Sequence, residues 1–292
     1  MHRQGLHAVQ ALVEARHEPY ETIHVRPITP VIGAEIEGVD LSTELSNRQF
    51  DEVHRALLEH HVLVFRDQHL SAEDHKRFGR RFGRLHVHPL QAMREGDNER
   101  LLVRATANSK YVAGENWHAD VTCDAEPPMG SMLYLDKTPQ IGSGGDTMFA
   151  NMHLAYDMLS DAMKAFLDPL TAVHDGAIPW VQGYGYRPNE EFQKNEHPVV
   201  VRHPETGRKL LFVNRGFTSH IPQLARFESA AVLEMLYRHI ETQAALTCRV
   251  RWTPNTLVFW DNRCTQHQAI WDYYPLERSG YRVSIIGERP TA

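Results

Sequence analysis

Two hydrophobic periods run along this chain, one helical and one alternating, and their order predicts its elements. From Ser46, a residue suited to capping, Phe50, Val53, Leu57 and Leu58 recur at helical spacing with Asp51, Glu52 and Arg55 between them. That helix should end near His60. His61-Val-Leu-Val-Phe65 is a short apolar, β-branched run, which predicts a buried strand. Ser71-Ala-Glu-Asp74 has the form of a capping box and opens a second helix that stops at Gly83.

Upstream, residues 1–20 read as a short polar helix or loose arm, and Ile23 to Val39 as one or two strands broken by Pro and Gly. Downstream, strands are predicted at Leu101 to Ala105, Ser131 to Leu135 and Thr147 to Ala150, the last two separated by turn chemistry from Pro139 to Asp146. Ala155 to Leu167 has helical spacing. Val199 to Arg202 and Leu210 to Val213 flank Pro204-Glu-Thr-Gly207 as a hairpin, and Phe227 to Glu241 is amphipathic. Thr247 to Trp252, Thr256 to Trp260 and Tyr281 to Ile286 are strand-like. Many short strands interrupted by a few helices predict a mainly β chain with decorating helices around a double-stranded β-helix, or jelly-roll, core. One domain over residues 1–292 suffices. Gly176 to Glu196, rich in Gly, Pro, Tyr and Asn and without a period, is expected to be an active-site lid.

Composition narrows the function. Of 292 residues 23% are charged and 42% hydrophobic, ordinary for a globular chain with a sizeable core. A formal charge of −6 with no long basic run excludes a nucleic-acid role. Cys123, Cys248 and Cys264 are too few and too irregular for a disulfide framework and suit a reducing compartment. The N-terminus lacks a secretory pattern and no span is apolar enough for a membrane, so a cytoplasmic protein is expected.

Candidate chemistry centres on Asn116-Trp-His-Ala-Asp120. In an extended segment His118 and Asp120, two apart, project to one side. His267, beyond the strand-like Thr256 to Trp260, is the best third ligand; two imidazoles and one carboxylate leave three positions of an octahedral metal open, which suits non-haem Fe(II) oxygenases. Arg278 and Arg282 follow and offer planar, bidentate donors for a carboxylate or sulfonate. Gly144-Gly-Asp-Thr147 lacks the Gly-Lys-Ser/Thr and opening helix of a P-loop and reads as a turn feeding a strand. His86 and His88 form a second pair at strand spacing, with no convergent carboxylate of comparable sequence context. For His174-Asp175 a structural role is at least as good a reading as a functional one.

Taken together, Ile32-Gly-Ala-Glu-Ile-Glu-Gly-Val-Asp40, Phe65-Arg-Asp-Gln68, Arg81-Phe-Gly83, Asn116-Trp-His-Ala-Asp120, Gly144-Gly-Asp-Thr147, Phe212-Val-Asn214, Trp260-Asp-Asn-Arg263 with His267, and the Arg pair resemble the taurine dioxygenase and 2,4-dichlorophenoxyacetate dioxygenase family of Fe(II)- and 2-oxoglutarate-dependent enzymes over nearly the whole chain. The resemblance implies that His118, Asp120 and His267 bind iron. It also implies that Thr147 and Arg278 hold the distal carboxylate of 2-oxoglutarate, that Arg282 faces an anionic group of the substrate, and that His88 and Phe217 line the substrate pocket. O2 is the co-reactant; succinate and CO2 are the implied products.

With Asp120 present no position is freed for a halide, so hydroxylation is expected. If the hydroxylated carbon bears a heteroatom, C–O or C–S cleavage follows. A sulfonate, alkyl sulfate or aryloxyalkanoate is the implied substrate class. Taurine itself is disfavoured: Gln91 stands where taurine-specific enzymes carry Tyr, Gly114 where they carry Asn, and Gly176 replaces an aromatic, so a roomier, less polar pocket is expected. Trp180, Tyr184 and Tyr186 of the lid favour an apolar or aromatic substrate body. Beyond a small anionic substrate, the expected partners include neither nucleic acid nor membrane, and the chain is expected to form a homo-oligomer, dimer or tetramer. A second reading is a non-catalytic jelly roll that binds a small anion through Arg278 and Arg282, with a structural metal or none.

Overall fold

A computed structural model describes residues 3–15, 18–87, 97–112, 114–179, 181 and 192–292. In chain order the first elements are α1 (Arg3–Glu14), β1 (His24–Pro27), β2 (Ala34–Glu37), α2 (Asn47–His60), β3 (Val62–Phe65), α3 (Ala72–Arg80), β4 (Leu85–His86) and β5 (Leu101–Ala105). Next come β6 (Gly130–Lys137), β7 (Thr147–Asn151), α4 (Met152–Asp157), α5 (Asp161–Leu167), β8 (Thr171–Asp175), β9 (Lys194–Pro198), β10 (Val200–Arg202), β11 (Lys209–Leu211) and β12 (Thr218–His220). The chain closes with α6 (Arg226–Glu241), β13 (Thr247–Val250), β14 (Thr256–Asp261), β15 (Thr265–Ala269) and β16 (Arg278–Ile285).

Eight strands make the larger sheet, in the order β1-β2-β3-β14-β6-β16-β4 with β5 on β16. Facing it are β13-β7-β15, β12-β8-β9 and the β10-β11 hairpin. β3 and the middles of β14 and β6 are apolar at consecutive positions because both faces are covered. Val62, Val64, Leu133, Leu135, Val258 and Trp260 point into the core shared with Phe149, Ala150 and Val250 of the smaller sheet. Their alternates, Leu63, Phe65, Met132, Tyr134, Leu257 and Phe259, pack beneath Val53, Leu57 and Phe78 of α2 and α3. This is the predicted jelly-roll architecture with helices on one face.

The caps are where the sequence placed them. Ser46 Oγ accepts from Gln49 N at 3.2 Å, and the Ser71–Asp74 capping box is closed from both sides. Two expectations change. The helix read over Ala155 to Leu167 is two helices, because Ser160 adopts an extended conformation and caps α5 through Met163 N. A strand not predicted, β15, carries His267; its Thr-Gln-His-Gln-Ala sequence is polar because the sheet position serves a site. Of the expected lid, residues 180 and 182–191 lie outside the described residues, and 194–196 belong to β9, paired with β8.

Candidate metal and anion site

β7 is the strand on which the site is built. It pairs with β15 so that Phe149 faces His267 and Thr147 faces Ala269. The His267 ring stacks on Phe149 at 5.8 Å and sits 4.8 Å from Trp260, which fixes its plane. Thr147 is two residues from Phe149 on the same strand face, ~7 Å along. Asn116 to Asp120 is not a strand, as the extended reading assumed; His118 alone makes a bridge, exchanging both backbone hydrogen bonds with His267 at 3.1 and 2.8 Å.

That bridge brings the imidazoles together with ring centroids 4.2 Å apart. Asp120 Oδ1 lies 3.7 Å from His118 Nε2 and 3.9 Å from His267 Nε2. His118, Asp120 and His267 each offer a ligand atom within 4.8 Å of the others. His118 Nδ1 donates to Asn116 O at 2.8 Å, which fixes the tautomer and leaves Nε2 with its lone pair. Burial holds both imidazoles below the ordinary histidine pKa, His267 more strongly, so both are neutral ligands at neutral pH. Burial alone would raise the Asp120 carboxyl. Arg282, the two imidazoles and Ser131 outweigh it and hold the group well below the usual carboxylate range. Neutral imidazoles whose Nε2 atoms lie 3.7 and 3.9 Å from one oxygen of an ionised carboxylate fit a divalent ion.

Two glycines let the backbone approach His118. At Gly114 (φ +85°) a Cβ would lie 2.9 Å from His118 Cε1, and at Gly216 it would lie 2.7 Å from His118 Cβ. Only a residue without a side chain fits either place.

The carboxylate has supports that sequence reading missed. Ser131 Oγ donates to Asp120 Oδ2 at 2.8 Å and contacts Ser284 Oγ, its cross-strand partner, at 2.9 Å. Asn262 accepts from Asp120 N at 2.7 Å and donates to Asp120 O at 3.0 Å. A usable signal was there: Ser131 and Ser284 are lone hydroxyls inside apolar strand runs.

Arg278 and Arg282 lie on β16, ~13 Å apart along an extended strand, with a register shift between Ser279 and Gly280. Arg282 donates to Asp120 Oδ1 at 2.5 Å while its Nε has no partner among the described residues. Arg278 is 4% exposed and donates to Thr147 Oγ1 at 3.3 Å, a hydroxyl that also accepts from Trp252 Nε1 at 3.0 Å. No carboxylate pairs with Arg278 among the described residues, and its Nε and the Tyr273 hydroxyl are buried without partners. A buried guanidinium left unpaired costs several kcal/mol, on the order of the cost of breaking a buried ion pair. An anionic ligand would supply the missing charge and acceptors.

Of the remaining expected residues, Phe217 is buried with Val121 and Cys123 and held by Asn214, whose Oδ1 accepts from Phe217 N at 2.9 Å. His88 and Gln91, like Trp180, Tyr184 and Tyr186, lie outside the described residues. His86 pairs with Asp124 at 3.0 Å, and His174 Nδ1 meets Thr122 Oγ1 at 2.9 Å, a brace rather than a ligand.

Residues 24–284 match the model of the family described as "Taurine catabolism dioxygenase TauD, TfdA family". An alpha-ketoglutarate-dependent sulfonate dioxygenase from Saccharomyces cerevisiae is 32% identical over 92% of this chain and 68% of its own length. An alkylsulfatase from Acinetobacter baylyi is 33% identical over 94% of this chain and 88% of its own. A crystal structure of a taurine dioxygenase from Burkholderia xenovorans superposes with a TM-score of 0.80 at 34% identity, covering 92% of this chain and 93% of that one.

Proposed function

Because the chain belongs to the TauD, TfdA family and is therefore an Fe(II)- and 2-oxoglutarate-dependent dioxygenase, we propose that His118, Asp120 and His267 hold its iron, that Thr147 and Arg278 hold 2-oxoglutarate, and that Arg282 receives the anionic group of a sulfonate, alkyl sulfate or aryloxyalkanoate. The non-catalytic reading falls away with family membership. The observation that carries the assignment is the pairing of one ionised carboxylate facing two neutral imidazoles with a buried arginine that pairs with no carboxylate among the described residues.

Bound iron supplies activation of O2, coupled to decarboxylation of 2-oxoglutarate to succinate and CO2 and to oxygen insertion into a substrate C–H bond. The chain's residues position what reacts. Asn262 and Ser131 hold Asp120 so that Oδ1 faces the imidazoles. Thr147 Oγ1 accepts from Arg278 and Trp252, so its hydroxyl hydrogen is free for a carboxylate oxygen, and the guanidinium adds bidentate donors. Arg282, tied to Asp120, keeps its unpartnered Nε–H available for the substrate anion. Phe217 and Val121 offer an apolar wall that keeps water from the reacting carbon. His88 is proposed to add a second polar contact to the substrate anion. The relatives' substrates favour a sulfonate or sulfate ester, and oxidation at the carbon bearing sulfur or oxygen would then release the inorganic anion.

We also read residues 1–292 as one dioxygenase domain, cytoplasmic and a dimer or tetramer, which light scattering would measure. No helix among the described residues is long and apolar enough to cross a membrane.

Anaerobic addition of Fe(II) and 2-oxoglutarate should produce the weak visible metal-to-ligand charge-transfer band, and Asp120→Ala should lose it. Arg278→Ala should raise the KM for 2-oxoglutarate while sparing the substrate, and Arg282→Ala should do the reverse in a succinate-release screen over the three substrate classes. Equal losses of both ligands in both variants would contradict the division of roles.

A further inference from the structure

A second set of metal-ligand side chains lies outside the site just described, sealed in the core. His61 is the left-handed residue (φ 65°) that caps α2, His153 sits in the first turn of α4, and Cys264 lies in the turn between β14 and β15. They are 2%, 0% and 1% exposed. One ligand atom from each lies within 4.8 Å of the others.

The lone pairs are available. His153 Nδ1 donates to Lys209 O at 2.9 Å, so Nε2 carries the lone pair, and that atom is buried with no partner among the described residues. Cys264 Sγ stands 3.6 Å from His61 Nδ1. Around a tetrahedral zinc, with Zn–S and Zn–N bonds of ordinary length, sulfur and nitrogen ligands sit about 3.5 Å apart. The His61 and His153 rings are 5.3 Å apart, centroid to centroid.

The neighbouring Asp261 and His203 do not compete as ligands. Asp261 accepts from Arg263 Nε at 2.9 Å and NH2 at 2.7 Å, and from His203 Nε2 at 3.0 Å. His203 Nδ1 accepts from the backbone of Glu205 and Thr206. Their hydrogen bonds are closed, whereas His153 Nε2 has no partner among the described residues and Cys264 Sγ makes only long contacts, to His61 Nδ1 at 3.6 Å and as a donor to Asp261 O at 3.9 Å.

We propose that His61, His153 and Cys264 form a second metal site, structural and enclosed, for a borderline ion of the Zn(II) class. Thiolate and imidazole donors select such an ion over the harder Fe(II), which the carboxylate-containing site suits. Burial brings His153 down to about 3 and His61 well below its ordinary value, so both rings are neutral and ready to ligate. Burial also keeps the Cys264 thiol protonated, so metal uptake forms one S–metal bond, breaks the S–H bond and releases that proton to solvent. The Asp261 carboxylate faces the added positive charge and Arg208 opposes it.

Such an ion would tie the end of α2 and the start of α4 to the β14–β15 turn, three residues before His267. Its role is to stiffen the hairpin that carries an iron ligand.

Cobalt tests this, because only a thiolate ligand gives an intense near-ultraviolet sulfur-to-cobalt band and the iron site contains no thiol. The Asp120→Ala variant, expressed in Co(II)-supplemented medium, should carry that band with about one cobalt per chain and melt at a higher temperature than the same protein grown with chelator. Adding Cys264→Ser or His153→Ala should remove the band and the temperature shift, with far-ultraviolet circular dichroism verifying the fold. A folded Asp120→Ala protein with no thiolate band, or a band that survives Cys264→Ser, would overturn the proposal. Neither result depends on whether His118, Asp120 and His267 bind iron.

Discussion

Asp120 and Asp261 are both buried carboxylates beside histidines, yet they do opposite things. Asp261, 0% exposed, meets Arg263 bidentately and His203 besides, and Arg263 in turn reaches Glu205 at 2.7 Å. Every charge there has its counter-charge within the chain. Around Asp120, 3% exposed, Arg282 and Ser131 each meet one carboxylate oxygen, but the oxygen that Arg282 meets also faces Nε2 of two neutral imidazoles at 3.7 and 3.9 Å, and farther along β16 Arg278 pairs with no carboxylate among the described residues. The lesson is that burial and residue type do not separate a structural ionic cluster from a functional one. What separates them is whether charges and lone pairs are already satisfied, since an unsatisfied buried group is costly unless a ligand completes it.

The largest test of this contrast exchanges the two arginines for alanine. Arg263→Ala strands Asp261 and Glu205 and should lower stability by about 3–5 kcal/mol in urea unfolding. Arg278→Ala removes a charge that lacked a partner, so its unfolding midpoint should stay near or above that of the parent while 2-oxoglutarate affinity collapses. Equal destabilisation by both would erase the distinction.

A smaller effect is expected at Ser131. Ser131→Ala removes the hydroxyl that holds Asp120 Oδ2, and such supports typically contribute 10–100-fold in metal affinity, so Fe(II) titration should show a loss of about that size with little change in stability. A structural role alone would reverse that ordering.

The smallest is a pH effect on the structural side. Hydrogen bonding to His54 outweighs desolvation, and together with Arg263 it holds Glu205 at about 2. Its folded pKa lies below the unfolded value of about 4.3. The stabilisation is therefore full above that value and is lost as pH falls towards 2. In Arg263→Ala the acid-unfolding midpoint should move to higher pH. An unchanged midpoint would place the charge coupling elsewhere.

Much of this was legible in the linear chain. Ser46 and Ser71 mark helix starts because a cap is a local event, and the apolar runs at Val62 to Phe65 and Thr256 to Trp260 mark strands because both their faces are covered. His118, Asp120 and His267 could be named from residue type and spacing, with the family resemblance assigning Thr147 and Arg278 beside them. Other features were hidden for a physical reason. β15 has no apolar alternation, since its polar side chains are buried by neighbours far away in sequence. Ser131, Ser284 and Asn262 are ordinary letters until β6, β16 and the turn after β14 close around Asp120. His61, His153 and Cys264 share no spacing at all. Local hydrogen bonding and periodicity determine the elements and the ligand types; only the packing of distant strands decides which lone pairs are left facing one another, and with that, where an ion can bind.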